Sequence, residues 1–160
     1  MKFSDPFKIL IPSERWAPTQ SQMDMFQNAY EKLLPPLVYK IRLAVEKWRD
    51  EDYAGASETS KLLMNFWFNQ EHLIGQSKFC FFFSQREAIE SIIYLYEVAK
   101  AKDKYELMRF DSSGRVSTGM FDENWTRYVV KMATGAGKTK VMGLTLVWSY
   151  FHKLYETDSL

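Results

Sequence analysis

Cysteine and histidine are nearly missing from this sequence, which has only Cys80, His72 and His152. One cysteine excludes an intramolecular disulfide, and the three residues assemble no familiar metal-ligand spacing, so all three read as packing or surface residues. A reducing compartment suits such a chain. Charge of one sign is missing too, since 21 basic residues stand against 20 acidic ones, a formal net charge of +1. A protein that wraps nucleic acid over its whole surface carries a strongly basic face or tail, so any such contact here is local or lies elsewhere. Long apolar runs are also lacking. The longest late run, around Val141 to Phe151, is too short to span a bilayer. The start, Met-Lys-Phe-Ser-Asp-Pro-Phe, puts a charge and a proline where a signal peptide needs an unbroken apolar stretch. The expectation is a soluble cytoplasmic protein with no membrane partner.

What is present is an ordinary globular composition, 46% hydrophobic and 26% charged over 160 residues, with an excess of aromatics. Twelve Phe, nine Tyr and five Trp imply either an aromatic core or rings that serve a surface. Before Thr19 the chain is punctuated by Pro6, Pro12 and Pro18 and reads as extended. Met23, Phe26, Tyr30 and Leu33 then recur at helical spacing behind a possible Ser21 cap, and Pro35-Pro36 ends that helix. A second helix starts there with Leu37, Ile41, Ala44, Val45 and Trp48 as its apolar stripe. After a loop over 49–57, a short helix carries Leu62, Leu63, Phe66 and Trp67, and a polar stretch runs through Gly75. Trp48 and Trp67, on apolar faces, read as core.

The pattern changes at Phe79-Cys80-Phe81-Phe82-Phe83, which suits a buried strand or an extended lead-in and reads as core rather than a base-stacking platform, although one ring could flank a base. Ser84-Gln85-Arg86-Glu87 follows as a capping box, making Gln85 a first-turn residue. Its helix has Ala88, Ile89, Ile92, Ile93, Tyr96 and Ala99 on one face and runs into Lys100 to Lys104, where lysines interleaved with Ala101 and Asp103 read as a solvated end. Residues 111–124 form a loop or irregular hairpin. Tyr128 to Met132 is a short strand candidate aimed at Met132-Ala133-Thr134-Gly135-Ala136-Gly137-Lys138-Thr139, and a helix with Val141, Leu144, Thr145, Trp148 and Phe151 on one face follows.

Strand, glycine loop, Lys-Thr, helix is the order in which backbone N–H groups and a positive helix end converge on a phosphate chain. Gly135 and Gly137 permit torsions and close approach that a side chain blocks. Thr134 and Ala136 belong to the same cradle, Lys138 reaches the β and γ phosphates, and the Thr139 hydroxyl binds Mg²⁺. With glycine at ~7% of residues, Gly-x-Gly-Lys-Thr arises by chance in about one such chain in a hundred or fewer, so the run reads as a site for ATP and Mg²⁺ rather than a plain turn.

Lys131 to Thr139, Lys-Met-Ala-Thr-Gly-Ala-Gly-Lys-Thr, resembles motif I of superfamily 2 helicases, in which the first glycine of the strict pattern is commonly replaced, as Met132 replaces it here. Phe83 to Glu90 resembles the upstream Q motif, whose glutamine, here Gln85, reads the adenine edge. Together with Ile93 to Ala99, the wording is most similar to the DEAD/DEAH-box helicase family of restriction endonucleases, related to the Res subunit of type III restriction enzymes, over about residues 78–150. The resemblance implies an α/β fold: a mainly helical region over 1–77, then over 78–160 the strand, phosphate-binding loop and helix that start a RecA-like domain. It implies a DNA helicase or translocase in restriction or phage defence, with ATP and Mg²⁺ as cofactors and nucleic acid, DNA first, as the partner of the full-length parent. That family also carries an Asp-Glu-x-His box downstream of motif I, and none occurs in these 160 residues. The expectation is therefore a fragment with no complete catalytic set, inactive alone and prone to self-association through an uncovered strand edge and the face around Val141, Leu144 and Trp148. Two rivals stand beside it: a small-molecule kinase on the same loop, and a non-catalytic helical interaction module with a vestigial loop.

Overall fold

A computed structural model of the chain describes residues 5–9, 37–111, 114, 116–117, 119 and 129–156. The expected first helix, Met23 to Leu33, and most of the loop expected over 111–124 lie outside the described residues. Beyond Pro35-Pro36 the apolar stripe does what its spacing predicts. Helix α1, Val38–Asp50, buries Val45 and Trp48 and turns its outer side to solvent. The chain then reverses through a tight turn in which Asp52, Tyr53 and Gly55 take positive φ. Trp48 Nε1 fixes that turn by donating to the Ala54 carbonyl at 2.9 Å. Such torsions strain a residue with a Cβ, and the Tyr53 hydroxyl is anchored in return.

Helix α2, Glu58–Asn69, starts at a Ser57 cap that accepts from the Ser60 amide at 3.2 Å. Its buried stripe is Ser60, Met64 and Trp67, which leaves Leu62 and Phe66 in solvent, against the expected face. A serine hides this stripe from a search for apolar spacing. Ser60 Oγ is bound in the interior to Glu97 and Trp148, so the polar position is an inward one. The stretch expected to be merely polar contains a hairpin: β1, His72–Ile74, pairs antiparallel with β2, Ser77–Phe79, with His72 opposite Phe79 and Ile74 opposite Ser77. Gly75 at φ +63° supplies the two-residue turn. Three-residue strands give too few alternations to register as a pattern.

The aromatic run continues as an extended lead-in to helix α3, Phe83–Ile93, whose N-cap is Phe82 rather than the expected Ser84. The cause lies in the side chains. Gln85, at the third helical position, accepts the Phe82 amide through Oε1 at 3.0 Å, while Glu87 pairs with Arg42 (3.3 Å) instead of reaching back to Ser84. Phenylalanine has no acceptor to offer, so only the reciprocal half of a capping box forms. α3 buries Ala88, Ile89 and Ile93 as expected, then widens into a π-helical turn, Tyr94–Val98, closed by the Ala99 amide donating to the Tyr94 carbonyl at 2.8 Å. This extra residue per turn brings Leu95 and the Glu97 carboxylate inward. Helix α4, Lys104–Met108, is capped by Asp103.

The last element is α5, Lys138–Tyr155, which buries Val141, Leu144, Trp148 and His152. The strand expected before its loop is not formed: residues 129–132 have no ladder, and Val129 is 90% exposed. A parallel strand needs a neighbour delivered by a crossover, and the described residues contain no strand but the hairpin's two. The content is thus mixed, helix-rich with one small antiparallel sheet. α3 lies between α1 and α5, and α2 closes on α5. One core joins Trp48, Tyr53, Met64 and Trp67 to Ile89, Ile93, Leu144 and Trp148, so both tryptophans expected in the core are there. Among the described residues no helix is long and apolar enough to cross a membrane.

A candidate nucleotide site at the glycine loop

The loop from Ala133 to Lys138 folds on itself through the Ala136 amide, which donates to the Ala133 carbonyl at 3.2 Å. Gly135 and Gly137 take φ of +81° and +78°, a region that favours glycine. Their reasons differ. A Cβ on Gly135 would meet open space, whereas one on Gly137 would sit 2.1 Å from Gln85 Nε2. Gln85 is 4% exposed, and its Nε2 donates to the Ala136 carbonyl at 3.1 Å. Across 51 residues the structure therefore brings Gln85 against the very loop that carries Lys138 and Thr139. With Oε1 on the Phe82 amide, the side chain keeps one N–H and one oxygen lone pair, which is the donor–acceptor pair an adenine edge takes.

Gly137 stands at the N-terminal end of α5 with no side-chain cap, and the first turn holds no acidic residue. The opening amides of a helix have no partner inside it and carry the positive end of its dipole, so an uncapped end suits an anion. Lys138 and Thr139 lie exposed on that turn, Thr134 and Gly135 are exposed in the loop before it, and Ala136 is half-buried. Lys138 has no ion pair among the described residues. Lys140 leans over the Phe79 ring, 5.1 Å from its centroid. A free ammonium, uncapped amides and a hydroxyl form a donor set that fits a phosphate chain and its Mg²⁺. No group of three or more metal-ligating residues gathers among the described residues.

Two buried carboxylates lie further along α3 and its π turn, and neither was apparent from motifs. Glu90, on α3 and wholly buried, accepts from Arg49 Nε (3.0 and 3.1 Å) and Nη2, Arg86 Nε (2.8 Å) and the Tyr53 hydroxyl (2.6 Å). Arg86 Nη2 also donates to the Tyr53 oxygen at 2.8 Å. Burial first, then the Glu90 charge, push the Tyr53 phenol up to about 12. Burial would lower both guanidinium pKa values, but the hydrogen bond and charge of Glu90 outweigh it and hold both above their ordinary value. The second carboxylate, Glu97 on the π turn, accepts from the Ser57 amide (2.8 Å), Ser60 Oγ and Trp148 Nε1 (3.1 Å) and lies 3.2 Å from His152 Nε2. It thereby ties α2 to α5. The signals available were the Arg86-to-Glu90 spacing of four, which sets both on one side of a helix, and the basic last turn of α1. His72 Nε2 lies 2.8 Å from the Phe66 carbonyl, and Cys80 is exposed.

These features define a class, a helix-rich chain in which a glycine loop opens an uncapped helix against a buried glutamine. Residues 78–160 match the family described as type III restriction enzyme, res subunit, and the chain belongs to that family. The family is helicase-like and works with ATP and Mg²⁺. Comparison with curated proteins and with solved structures gives no match.

Proposed function

We propose that this chain supplies the ATP-binding front of a DNA helicase or translocase in a restriction system. The observation that carries the reading is the Gln85 amide on the Ala136 carbonyl, which brings two motif-like segments 51 residues apart to one place. In this reading the loop amides from Thr134 to Gly137 and the opening turn of α5 bind the phosphates. Lys138 neutralises the β and γ groups, the Thr139 hydroxyl holds Mg²⁺, and the free edge of Gln85 takes the adenine. Bound Mg²⁺ would draw charge from the phosphate oxygens. Residues 78–160 would begin a RecA-like domain behind the mainly helical 1–77, with DNA as the partner.

Calorimetry with ATP and GTP in magnesium tests this. ATP should bind more tightly than GTP, since a site that hydrogen-bonds one base penalises another by leaving its own groups unpaired. Lys138→Ala should lose about 1.5 to 3 kcal/mol of ATP binding, the worth of hydrogen bonds to a charged group. Unchanged ATP affinity in that variant would remove the loop from the site.

A second reading, self-association, cannot use the expected face around Val141, Leu144 and Trp148, which the fold buries, and rests instead on the outer face of α5, where Met142, Leu146, Tyr150 and Leu154 lie at helical spacing and Leu146 is 72% exposed. Light scattering across a dilution series tests it, a constant monomer mass being the negative result.

A further inference from the structure

Two starts compete for α3, and the outcome decides where Gln85 points. Ser84-Gln85-Arg86-Glu87 is a capping box, Ser84 is exposed, and a helix begun there uses Glu87 to reach back and leaves Gln85 at its first position. The structure takes the other start. The Gln85 and Arg86 amides both donate to the Phe82 carbonyl, at 2.9 and 3.1 Å, and Gln85, now third in the helix, reaches back to the Phe82 amide with Oε1. The third position is the one from which a side chain meets its N-cap amide, so this start sets Oε1 on Phe82 and turns Nε2 to the Ala136 carbonyl. Two groups from outside the helix support it. The Pro6 carbonyl accepts the Phe83 amide at 2.9 Å, an N–H with no acceptor inside the helix, and Arg42 on α1 pairs with Glu87 at 3.3 Å. Of the two, only Arg42 acts on the side chain that the rival cap requires.

From this competition we infer that Arg42 is a positioning residue for the nucleotide site: by holding Glu87 it keeps α3 starting at Phe82, and that start keeps Gln85 on the glycine loop with its remaining edge turned to the base. The inference rests on the reading above, in which Gln85 takes the adenine, and adds control from α1, which lies outside the family-matched residues 78–160. Arg42 touches no ligand in this scheme and acts through Glu87 alone. Without its guanidinium, Glu87 is free to reach back to the Ser84 amide while the Ser84 hydroxyl accepts from Glu87, a pairing that satisfies two amides at once. The helix then begins at Ser84 instead of Phe82, and the Gln85 side chain leaves both the Phe82 amide and the loop. Further along, Arg49 still fastens α1 to Glu90 of α3, so the two helices stay packed and the change is confined to the first turn.

The test takes two readouts on the full chain. Exchange protection of the Phe82 amide, by NMR, reports whether Gln85 Oε1 still holds it, and calorimetry with ATP and GTP in magnesium reports base preference. Arg42→Ala should lose the Phe82 protection and narrow the ATP preference by about fivefold, the worth of one helix cap. Glu87→Ala breaks the same ion pair but removes the rival cap with it, so both readouts should stay at the parent's level. Adding Ser84→Ala to Arg42→Ala should restore both. A merely structural ion pair gives another pattern, in which Arg42→Ala and Glu87→Ala fall together and Ser84→Ala rescues nothing, and that result overturns the inference. Unchanged Phe82 protection in Arg42→Ala overturns it as well. A parent that binds ATP and GTP alike fails at the proposed function instead, while the Phe82 amide still decides on Arg42.

Discussion

Glu90 and Lys138 mark two regions of the same small molecule that treat charge in opposite ways. Around Glu90 every group is engaged: two guanidiniums and a phenol converge on one carboxylate shut away from water. At the glycine loop the polar groups are left over, with an exposed lysine and a helix end that no side chain caps. A buried charge is tolerated only when its partners are supplied by the fold, whereas a ligand site keeps unsatisfied donors that water covers until the ligand arrives. The first region therefore answers for stability and the second for binding. α3 carries Gln85 near one end and Glu90 five residues on, and so belongs to both.

Removing Glu90 should break the comparison most severely. Glu90→Ala leaves the largely buried Arg49 and Arg86 without their carboxylate, and loss of one side of a buried ion pair costs about 3 to 5 kcal/mol. Urea unfolding should register that loss in full. Lys138→Ala, by contrast, should lower the unfolding free energy by less than about 0.5 kcal/mol, since it alters an exposed side chain with no ion pair among the described residues. Similar midpoints for the two variants would mean that the regions do not divide the work as described.

Alkaline pH probes the same pocket more gently. The Tyr53 phenol is pushed from 10.0 to about 12 in the folded state by burial and by Glu90. Below pH 10 the phenol is neutral whether folded or not, so its contribution is fully present. Between 10 and 12 the unfolded chain gives up its proton first, and that contribution, on the order of 2 kcal/mol, is lost as pH rises. Tyr53→Phe should therefore show a shallower fall in stability over that window than the parent. Identical pH profiles would place Tyr53 outside the buried network.

How far the sequence reveals these two regions follows from the range of the interactions that build them. The glycine loop is legible because its requirements are local: positive φ at Gly135 and Gly137 and a helix that starts at Lys138 are written in adjacent residues. The apolar stripes of α1, α3 and α5 are legible for the same reason. The Glu90 pocket is not, because Arg49 and Tyr53 arrive from 41 and 37 residues away and only Arg86 shares its helix. Ser60 misleads in the same manner, a polar residue made inward by a distant carboxylate. The cap falls at Phe82 and not at Ser84 because the competition for Glu87 is decided by Arg42, on another helix. The unformed strand at 129–132 is the reverse case, a local preference with no partner among the described residues to realise it.

The finest comparison lies inside the loop, between its two left-handed glycines. Gly135→Ala should cost only the torsional strain of a Cβ in that region, about 1 to 2 kcal/mol, because nothing lies near the added atom. Gly137→Ala carries the same strain and also drives its Cβ against Gln85 Nε2, so Gln85 must give up its bond to the Ala136 carbonyl. A hydrogen bond of this kind is worth about 0.5 to 1.5 kcal/mol net, and that is the expected excess of Gly137→Ala over Gly135→Ala in urea unfolding. Repeating both substitutions in a Gln85→Ala background isolates the contact. With the amide gone the excess should vanish, a coupling of about 1 kcal/mol between positions 85 and 137 and none between 85 and 135. If Gly137→Ala keeps its full excess without Gln85, the strain belongs to the loop alone, and the glutamine is a neighbour of the site rather than a part of it.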